Sequence, residues 1–238
     1  MSPATTARDE ILARVRSATT DITTEPRLRA PDGHDDPREA RPLVSVWGTK
    51  SRPSDETLEL LAENVADYRA TVLRVAQAEV GAAIVGALRA VDASSVVLPT
   101  GLDGEWQRAV RESFDVVDES GSTTPVLDSV DAVVTGSALG IAVTGTIVLD
   151  HQADQGRREL TLVPDTHVCV IRDDQVVHDV PEAVGRLRTA TGQQRALTWI
   201  SGPSATSDIE LQRVEGVHGP RNLVVIIVAT AHVTGEPA

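Results

Sequence analysis

The chain has 238 residues and a formal net charge of −13, and its residues are 41% hydrophobic but only 2% aromatic. This charge argues against a nucleic-acid partner, because phosphate binding requires clustered basic residues and Lys50 is the single lysine. Cys169 is the single cysteine, so the chain can form neither an internal disulfide nor a cysteine-ligated cluster of its own. No signal-peptide pattern opens the chain and no apolar run approaches about 18 residues, so we expect a cytoplasmic protein without a membrane span.

Residues 1–53 are predicted to form a helix and a proline-rich arm, distinct from an α/β domain over residues 54–238. Within them, residues 3–19 have the apolar spacing of a short amphipathic helix. Prolines and acidic residues punctuate the stretch 25–56, which indicates an extended arm with a short strand at Leu43–Trp47. The sequence leaves open whether the helix docks on the domain or on a partner.

From residue 54 onward, helical and strand patterns alternate. Helices are predicted from residue 55 and at 79–90, 102–111 and 181–191, and strands at 71–75, 95–99, 114–117, 131–135, 160–163, 167–171 and 223–228. The run Ser137–Asp150 predicts two short strands about a turn at Thr144–Gly145. This alternation indicates an α/β fold with a Rossmann-like, open, mostly parallel sheet and helices on both faces.

Small, hydroxyl-bearing and charged residues are concentrated between the apolar runs 196–200 and 223–228. Ser207 and Glu210 fit a helix capping box, in which the serine hydroxyl and the glutamate each bind a free backbone N–H group. Asp208 adds a second acid to that first turn. Because both acids complement the helix dipole, they would repel a phosphate.

Ser201, Gly202 and Ser204 precede this helix start and lack an equally good structural explanation. Ligands of open α/β sheets bind outside the carboxyl ends of the strands, and the sequence places these three residues at such an end. Ordinary turn chemistry and a ligand site both remain open at this stage.

The segment GVHGPR, residues 216–221, predicts a tight turn that leads into the last strand. His218 is either an exposed turn histidine or a group that exchanges a proton near neutral pH. Arg221 is able to hold a carboxylate with two parallel hydrogen bonds, or to form an internal salt bridge instead. Gly219 supplies backbone freedom between them.

Other candidate motifs are weaker. Thr144, Gly145 and Thr146 form a polar tip, which is either a hairpin turn or a place where the backbone approaches a ligand closely. The histidines outside the 216–221 turn lack the spacing of a zinc site, so no metal is predicted. Cys169 alternates within an apolar strand and is interpreted as a buried hydrophobe.

Three segments in this order carry a family resemblance: TGTIVLD, LTLVPDTHVCVI and SGPSATSDIELQRVEGVHGPR, followed by the final apolar strand. Together they resemble the lactate utilisation protein C family, which carries the LUD domain. The resemblance covers residues 55 to 230, and the segment ARDEILARVR is similar to the N-terminus of that family.

The resemblance implies a fold similar to that of the sugar-phosphate isomerase and CoA-transferase group. It also implies a part in oxidising L-lactate to pyruvate, together with two partner proteins of which at least one carries iron–sulfur clusters. With one cysteine, this chain is expected to hold no such cofactor, so the clusters are expected in the partners.

The sequence departs from the family pattern at one position. Where the pattern has an acid before Thr-Gly-Thr, this chain has Val143. In the CoA-transferase relatives a glutamate acts as nucleophile, and a valine has no group that could do so. The departure argues against catalysis by this chain through a carboxylate at that turn.

Three turns are therefore predicted to meet in one pocket for a small carboxylate or anionic ligand. His218 is the predicted catalytic residue, and the predicted ligand-binding residues are Thr144, Gly145, Thr146, Ser201, Gly202, Ser204, Ser207, Asp208, Glu210, Gly219 and Arg221. The alternatives are a non-catalytic assembly or regulatory subunit, and an independent enzyme acting on a sugar phosphate or a CoA ester.

Overall fold

The computed structural model describes residues 7–18, 53–191, 196–206, 214–215 and 219–229. The chain divides into two compact units, Met1–Ser45 and Val46–Ala238. In the first unit, helix α1 spans Ala7–Ala18, which confirms the predicted N-terminal helix. The strand predicted at 43–47 lies outside the described residues.

The second unit contains five helices and twelve strands among its described residues. The helices are α2 (Asp55–Asp67), α3 (Val80–Ala90), α4 (Gly104–Arg111), α5 (Thr124–Leu127) and α6 (Val180–Thr191). The strands are β1 (Thr71–Ala76), β2 (Ser95–Leu98), β3 (Asp115–Asp118), β4 (Ala132–Thr135), β5 (Leu139–Ile141), β6 (Thr146–Leu149), β7 (Thr166–Arg172), β8 (Val176–Val177), β9 (Thr198–Ile200), β10 (Ala205–Thr206), β11 (Val214–Glu215) and β12 (Asn222–Ala229). No helix in the described part of the chain is long and apolar enough to cross a membrane.

Six strands form a parallel sheet in the order β1-β12-β7-β4-β2-β3. The central strands are apolar without alternation because the sheet is covered on both faces. On one face, α3 and α4 enclose a core that includes Ile84, Trp106 and Val110. On the other face, Leu61 and Val65 of α2 pack against β7 and β12. The predicted fold class is therefore confirmed.

A second, smaller sheet has the order β8-β5-β6-β9. Strands β5 and β6 form the predicted hairpin, with its turn at residues 142–145. One face of this sheet packs towards β7 and β12 through Ile147 and Leu149. The opposite face carries Val148, which packs with residues of α6. The hairpin thus forms a layer between the main sheet and α6.

Two details of the predicted elements are wrong. Residues 160–163 are not a strand: Arg158–Thr161 is a short 3₁₀ turn, in which the Thr161 hydroxyl bonds the carbonyl oxygen of Arg158 at 3.1 Å. Leu160 of this turn is buried, so an apolar residue that packs as part of a turn gave the appearance of a strand. The capping box at Ser207 and Glu210 predicts a helix that continues after residue 210, but Val214 lies in β11, which pairs with β10.

The direction in which successive strands are added to the main sheet reverses between the parallel neighbours β2 and β4. From β2 the chain continues to β3 at one edge, and from β4 it continues to β7 towards the other edge. In open α/β sheets, such a switch point leaves a crevice at the carboxyl ends of the two strands. Here the residues that follow these ends begin with Pro99 after β2 and Gly136 after β4.

Candidate functional site

Helix α2 fixes the tip of the β5–β6 hairpin. The side-chain amide of Asn64 donates to the carbonyl oxygens of Ala142 at 2.8 Å and Val143 at 3.2 Å. Gly145 has φ +56°, and a Cβ atom there would lie 2.7 Å from the carbonyl carbon of Asn64. The glycine is therefore required for the turn and for its close contact with the helix.

The second predicted glycine also contacts α2. Gly202 has φ +85°, and a Cβ atom there would lie 2.5 Å from the Cβ atom of Tyr68. Gly145 and Gly202, two of the glycines predicted to bind a ligand, thus both approach the C-terminal end of α2. This packing brings the hairpin tip and the loop after β9 together.

Three hydroxyl groups meet at this place, and we call Thr144, Thr146 and Ser201 the hydroxyl cluster. The Oγ1 atom of Thr146 lies 2.8 Å from the Oγ1 atom of Thr144 and 2.8 Å from the Oγ atom of Ser201. It also lies 3.3 Å from the carbonyl oxygen of Thr144. Thr146 is 5% exposed, Thr144 is half-buried and Ser201 is exposed. The cluster therefore has a buried centre, and Ser201 is its exposed member.

Ser204 joins the loop after β9 to the segment before β12. Its backbone N–H donates to the carbonyl oxygen of Pro220 at 2.8 Å, and a Cβ atom on Gly219 would lie 3.5 Å from its own Cβ atom. Arg221 follows directly, and its Nε atom lies 3.6 Å from Oδ1 of Asp165. Both members of this ion pair are more than half exposed, with side chains 58% and 61% accessible.

The predicted position of these loops relative to the sheet is wrong. Ser201 and Ser204 were expected at a carboxyl end of the main sheet, but β9 belongs to the smaller sheet. Their neighbours Tyr68 and Pro220 precede β1 and β12, so the loops lie at the amino edge of the six-stranded sheet. The error arose because a strand followed by a Gly/Ser loop gives no indication of which sheet the strand joins.

The remaining predicted residues are Ser207, Asp208, Glu210 and His218, and they lie outside the described residues. The capping box and the proton-exchanging histidine therefore stay predictions. Among the described residues, the structure brings together Thr144, Thr146 and Ser201 through their side chains, and Ser204, Gly219 and Arg221 through the backbone contact with Pro220.

A second polar region, which no sequence motif indicated, lies over the switch point of the main sheet. We call residues 150–157 the switch-point loop. The carbonyl oxygen of Ala153 accepts from the N–H of Gly101 at 2.8 Å, and that of Asp154 accepts from the N–H of Gly136 at 2.9 Å. Arg157 anchors the end of the loop, where its N–H donates to the carboxylate of Glu119 at 2.9 Å. The loop thus contacts the segments that follow β2, β3 and β4.

The start of this loop contains a buried polar network. The Oε1 atom of Gln155 accepts from the N–H groups of Asp150 at 2.7 Å and His151 at 3.1 Å. Gln152 donates from its amide to Oδ2 of Asp150 at 2.8 Å. Asp150 is 2% exposed, and its buried Oδ1 atom has no hydrogen-bond partner among the described residues. A signal for this region existed in the sequence, since Asp150 directly follows the apolar run of β6.

Beneath this region, β4 and β7 carry three buried polar side chains. Thr135 Oγ1 lies 2.7 Å from Nε2 of His167 and 3.8 Å from the sulfur of Cys169. Burial lowers the pKa of His167 to about 4 and raises the pKa of Cys169 to about 12. Cys169 is therefore a neutral thiol at neutral pH, in agreement with its interpretation as a buried hydrophobe rather than a nucleophile.

Comparison with known proteins places this arrangement in a family. The sequence profile of the LUD domain matches residues 58–228. The Lactate utilization protein C of Deinococcus radiodurans is 47% identical over 191 residues, which cover 80% of this chain and 87% of that protein. The protein of the same name from Oceanobacillus iheyensis is 23% identical over 193 residues, covering 75% and 82% of the two chains.

A solved structure agrees with these sequence matches. The crystal structure of a DUF162 family protein from Deinococcus radiodurans has a TM-score of 0.63 and 42% sequence identity with this chain. It covers 75% of this chain and 98% of its own. The matched residues span both sheets and the hydroxyl cluster, and the resemblance inferred from the sequence is confirmed. The chain belongs to the LUD domain family.

Proposed function

We propose that this chain is a cytoplasmic component of an L-lactate utilisation system, in which it binds a small carboxylate and acts with iron–sulfur partner proteins. The support for the pathway is the relative named Lactate utilization protein C, which is 47% identical over 87% of its length. The support for the ligand is the hydroxyl cluster, in which Ser201 presents a hydroxyl group to solvent.

The hydrogen bonds of Thr146 explain how Ser201 would serve a carboxylate. A hydroxyl group donates one hydrogen bond and accepts up to two. When Thr146 accepts from Thr144 and donates to Ser201, the proton of Ser201 is left to donate outward. A ligand oxygen would favour this arrangement over the one in which Thr146 donates to the carbonyl oxygen of Thr144. The observation that carries the proposal is therefore the shared oxygen of Thr146.

Arg221 is the proposed anchor for the ligand's charge. Its partner Asp165 is 61% exposed, and exposed ion pairs of this kind contribute at most about 1 kcal/mol. A ligand carboxylate would therefore displace Asp165 at little cost and gain two parallel hydrogen bonds from the guanidinium. The contact between Ser204 and Pro220 holds the arginine's segment beside the loop that carries Ser201.

The electron transfer would belong to the partner proteins. An iron–sulfur cluster is held by several thiolates, whereas this chain has one cysteine, whose sulfur is buried in the sheet. Val143 at the hairpin tip is 50% exposed, so the acid that the family pattern places there would have faced solvent. The chain thus contributes binding groups, and its partners would contribute the redox centre.

The test is calorimetry with L-lactate and with pyruvate on the wild-type chain, Ser201→Ala, Arg221→Gln and His218→Ala. We expect at least about tenfold weaker binding in Ser201→Ala and Arg221→Gln, because each loses a hydrogen bond to a charged group worth about 1.5–3 kcal/mol. His218→Ala tests whether that histidine contributes to the same site. Ser129→Ala is the matched control, since Ser129 is an exposed serine that bonds the carbonyl oxygen of Val126 in its own turn. Equal heats in all five proteins would contradict the ligand assignment.

A role in assembly is the second candidate, and helix α1 favours it. Ile11 on this helix is 61% exposed, and the helix belongs to a compact unit separate from the domain. If α1 docks on a partner, deleting residues 1–45 would abolish co-purification with the partner proteins while the remaining domain stays folded. Retention of the partners by the truncated chain would contradict this candidate.

A further inference from the structure

The switch-point loop contains a buried carboxylate oxygen that no group in the described part of the chain satisfies. Asp150 is 2% exposed, and its Oδ1 atom has no hydrogen-bond partner, whereas Oδ2 accepts from the amide of Gln152. A buried polar atom without a partner costs about 1–3 kcal/mol, and more when it carries charge. Native proteins keep such atoms rarely, and each one calls for a water, an ion or a ligand.

A second carboxylate is linked to the first through Gln155, whose amide oxygen accepts from the N–H of Asp150 and whose amide nitrogen donates to Oδ1 of Asp154 at 3.4 Å. Burial raises the pKa of Asp154, and the charge of Asp150 raises it further, while the hydrogen bond from Gln155 and the charge of Arg172 lower it. The carbonyl oxygen of Asp154 accepts a hydrogen bond from the N–H of Gly136. The side chain of Asp154 also packs against this glycine, since a Cβ atom added to Gly136 would lie 2.4 Å from Oδ2 of Asp154. Asp154 is thus held at the carboxyl end of β4 by backbone and side chain together.

We propose that the switch-point loop binds a hard divalent cation of the Mg²⁺ and Ca²⁺ class, held by the carboxylates of Asp150 and Asp154. A cation would satisfy the free oxygen of Asp150 and remove the repulsion between the two acids, whereas a water molecule or a hydroxyl group would do only the first. This site lies over the carboxyl ends of β2 and β4, at the opposite edge of the sheet from the hydroxyl cluster. The proposal does not rest on the proposed role in lactate utilisation.

The other groups of the loop also favour a hard cation. Gln152 uses its amide nitrogen to bond Asp150, which leaves its amide oxygen as an acceptor. Among the described residues, no group of three or more acids, histidines and cysteines surrounds this place. The remaining positions would therefore be filled by amide and carbonyl oxygens and by water, as Mg²⁺ and Ca²⁺ accept. The imidazole of His151 in this loop has both ring nitrogens within hydrogen-bond distance of other groups, the carbonyl oxygen of Gly156 at 3.1 Å and the hydroxyl group of Thr198 at 2.9 Å, which argues against zinc.

The test uses the full chain, freed of metal with a chelator, and titrates it with MgCl₂, CaCl₂ and MnCl₂ by calorimetry. Thermal unfolding and the electron paramagnetic resonance of bound Mn²⁺ give two further readouts. We expect at least one of these cations to raise the Tm of the wild-type chain by several degrees, because a ligand that binds the folded state stabilises it. Sodium chloride at equal ionic strength should have no such effect.

The variants Asp150→Asn and Asp154→Asn should each weaken cation binding at least about tenfold, since even groups outside the ligand shell have effects of that size. Asp128→Asn is the control, because Asp128 is an exposed acid outside the loop. Absence of any heat or Tm change in the wild-type chain would overturn the proposal, as would equal binding by all four proteins, which is the behaviour of a diffuse acidic surface. If Asp150→Asn does not fold, the half-buried Asp154→Asn decides the outcome alone.

Discussion

The hydroxyl cluster and the switch-point loop lie at opposite edges of the main sheet and satisfy their polar atoms differently. In the hydroxyl cluster, the buried oxygen of Thr146 has three partners within 3.3 Å, and the groups around it reach solvent. In the switch-point loop, Asp150 is buried with one carboxylate oxygen unpaired. The first region satisfies its buried oxygen internally and offers the hydroxyl group of Ser201, whereas the second leaves a carboxylate oxygen of Asp150 unsatisfied, although the charge of Arg172 acts on the neighbouring Asp154.

The difference shows that a distinctive sequence motif does not by itself indicate where a buried polar atom lacks a hydrogen-bond partner. Gly145 and Gly202 stand out in the sequence, and both are explained by close contact with α2. The switch-point loop reads DHQADQGR, which resembles an ordinary hydrophilic turn. Its chemistry is revealed by the hydrogen bonds that Gln152 and Gln155 make to the buried Asp150.

The largest expected effect on the free energy of unfolding tests whether the tip of the β5–β6 hairpin stabilises the fold through its contact with α2. Gly145→Ala should destabilise the chain by about 2–5 kcal/mol, because a left-handed non-glycine residue costs about 1–2 kcal/mol and overpacking adds about 1–3. The side chain would meet the backbone of Asn64, which has little room to move. Urea unfolding measures the change.

The matched control is Gly86→Ala in α3, where no atom lies within 4 Å of the new Cβ position. It should stabilise the chain by up to about 1 kcal/mol, as alanine does over glycine inside helices. A Gly145→Ala variant as stable as the wild type would show that the turn is held by something other than its contact with α2.

The next effect concerns the buried groups beneath the switch-point loop. The pKa of His167 is 6.5 when unperturbed and about 4 in the fold, so the unfolded chain binds the proton more readily. Its contribution to stability is fully present above pH 6.5 and is lost as the pH falls towards 4. Between pH 7 and pH 5 the wild-type chain should lose about 2 kcal/mol from this residue.

His167→Gln separates this contribution from those of the other titrating groups. The glutamine amide keeps a hydrogen-bond partner for Thr135 but does not titrate. The unfolding free energy of this variant should therefore fall by about 2 kcal/mol less than that of the wild-type chain over the same pH range. Urea unfolding at pH 7, 6 and 5 gives both curves. Parallel curves for the two proteins would mean that the imidazole is not kept neutral by burial.

The fold could be predicted from the sequence further than the site. Uninterrupted apolar runs such as Leu223–Val228 are long enough to identify buried parallel strands, and the alternation with helices then fixes the class. The strand predicted at 160–163 was wrong because a buried apolar residue in a 3₁₀ turn, here Leu160, has the same sequence pattern as part of a strand. The sheet to which β9 belongs depends on long-range pairing with β6, which no local pattern encodes. The Ser201 loop was therefore recognised but assigned to the wrong edge.

The smallest expected effect decides whether Arg221 is available to a ligand. A double-mutant cycle with Arg221→Gln and Asp165→Asn should give a coupling energy below about 1 kcal/mol, because both side chains are more than half exposed and water screens their attraction. The coupling should fall further at high salt, since exposed pairs are screened by ions. A coupling well above that value would mean that Asp165 holds the guanidinium firmly, and a carboxylate would then have to compete with it. A weak coupling together with weaker lactate binding in Arg221→Gln would show that Arg221 serves ligand binding rather than stability. An arginine that contributes little to the stability of the fold has its charge free to bind a carboxylate.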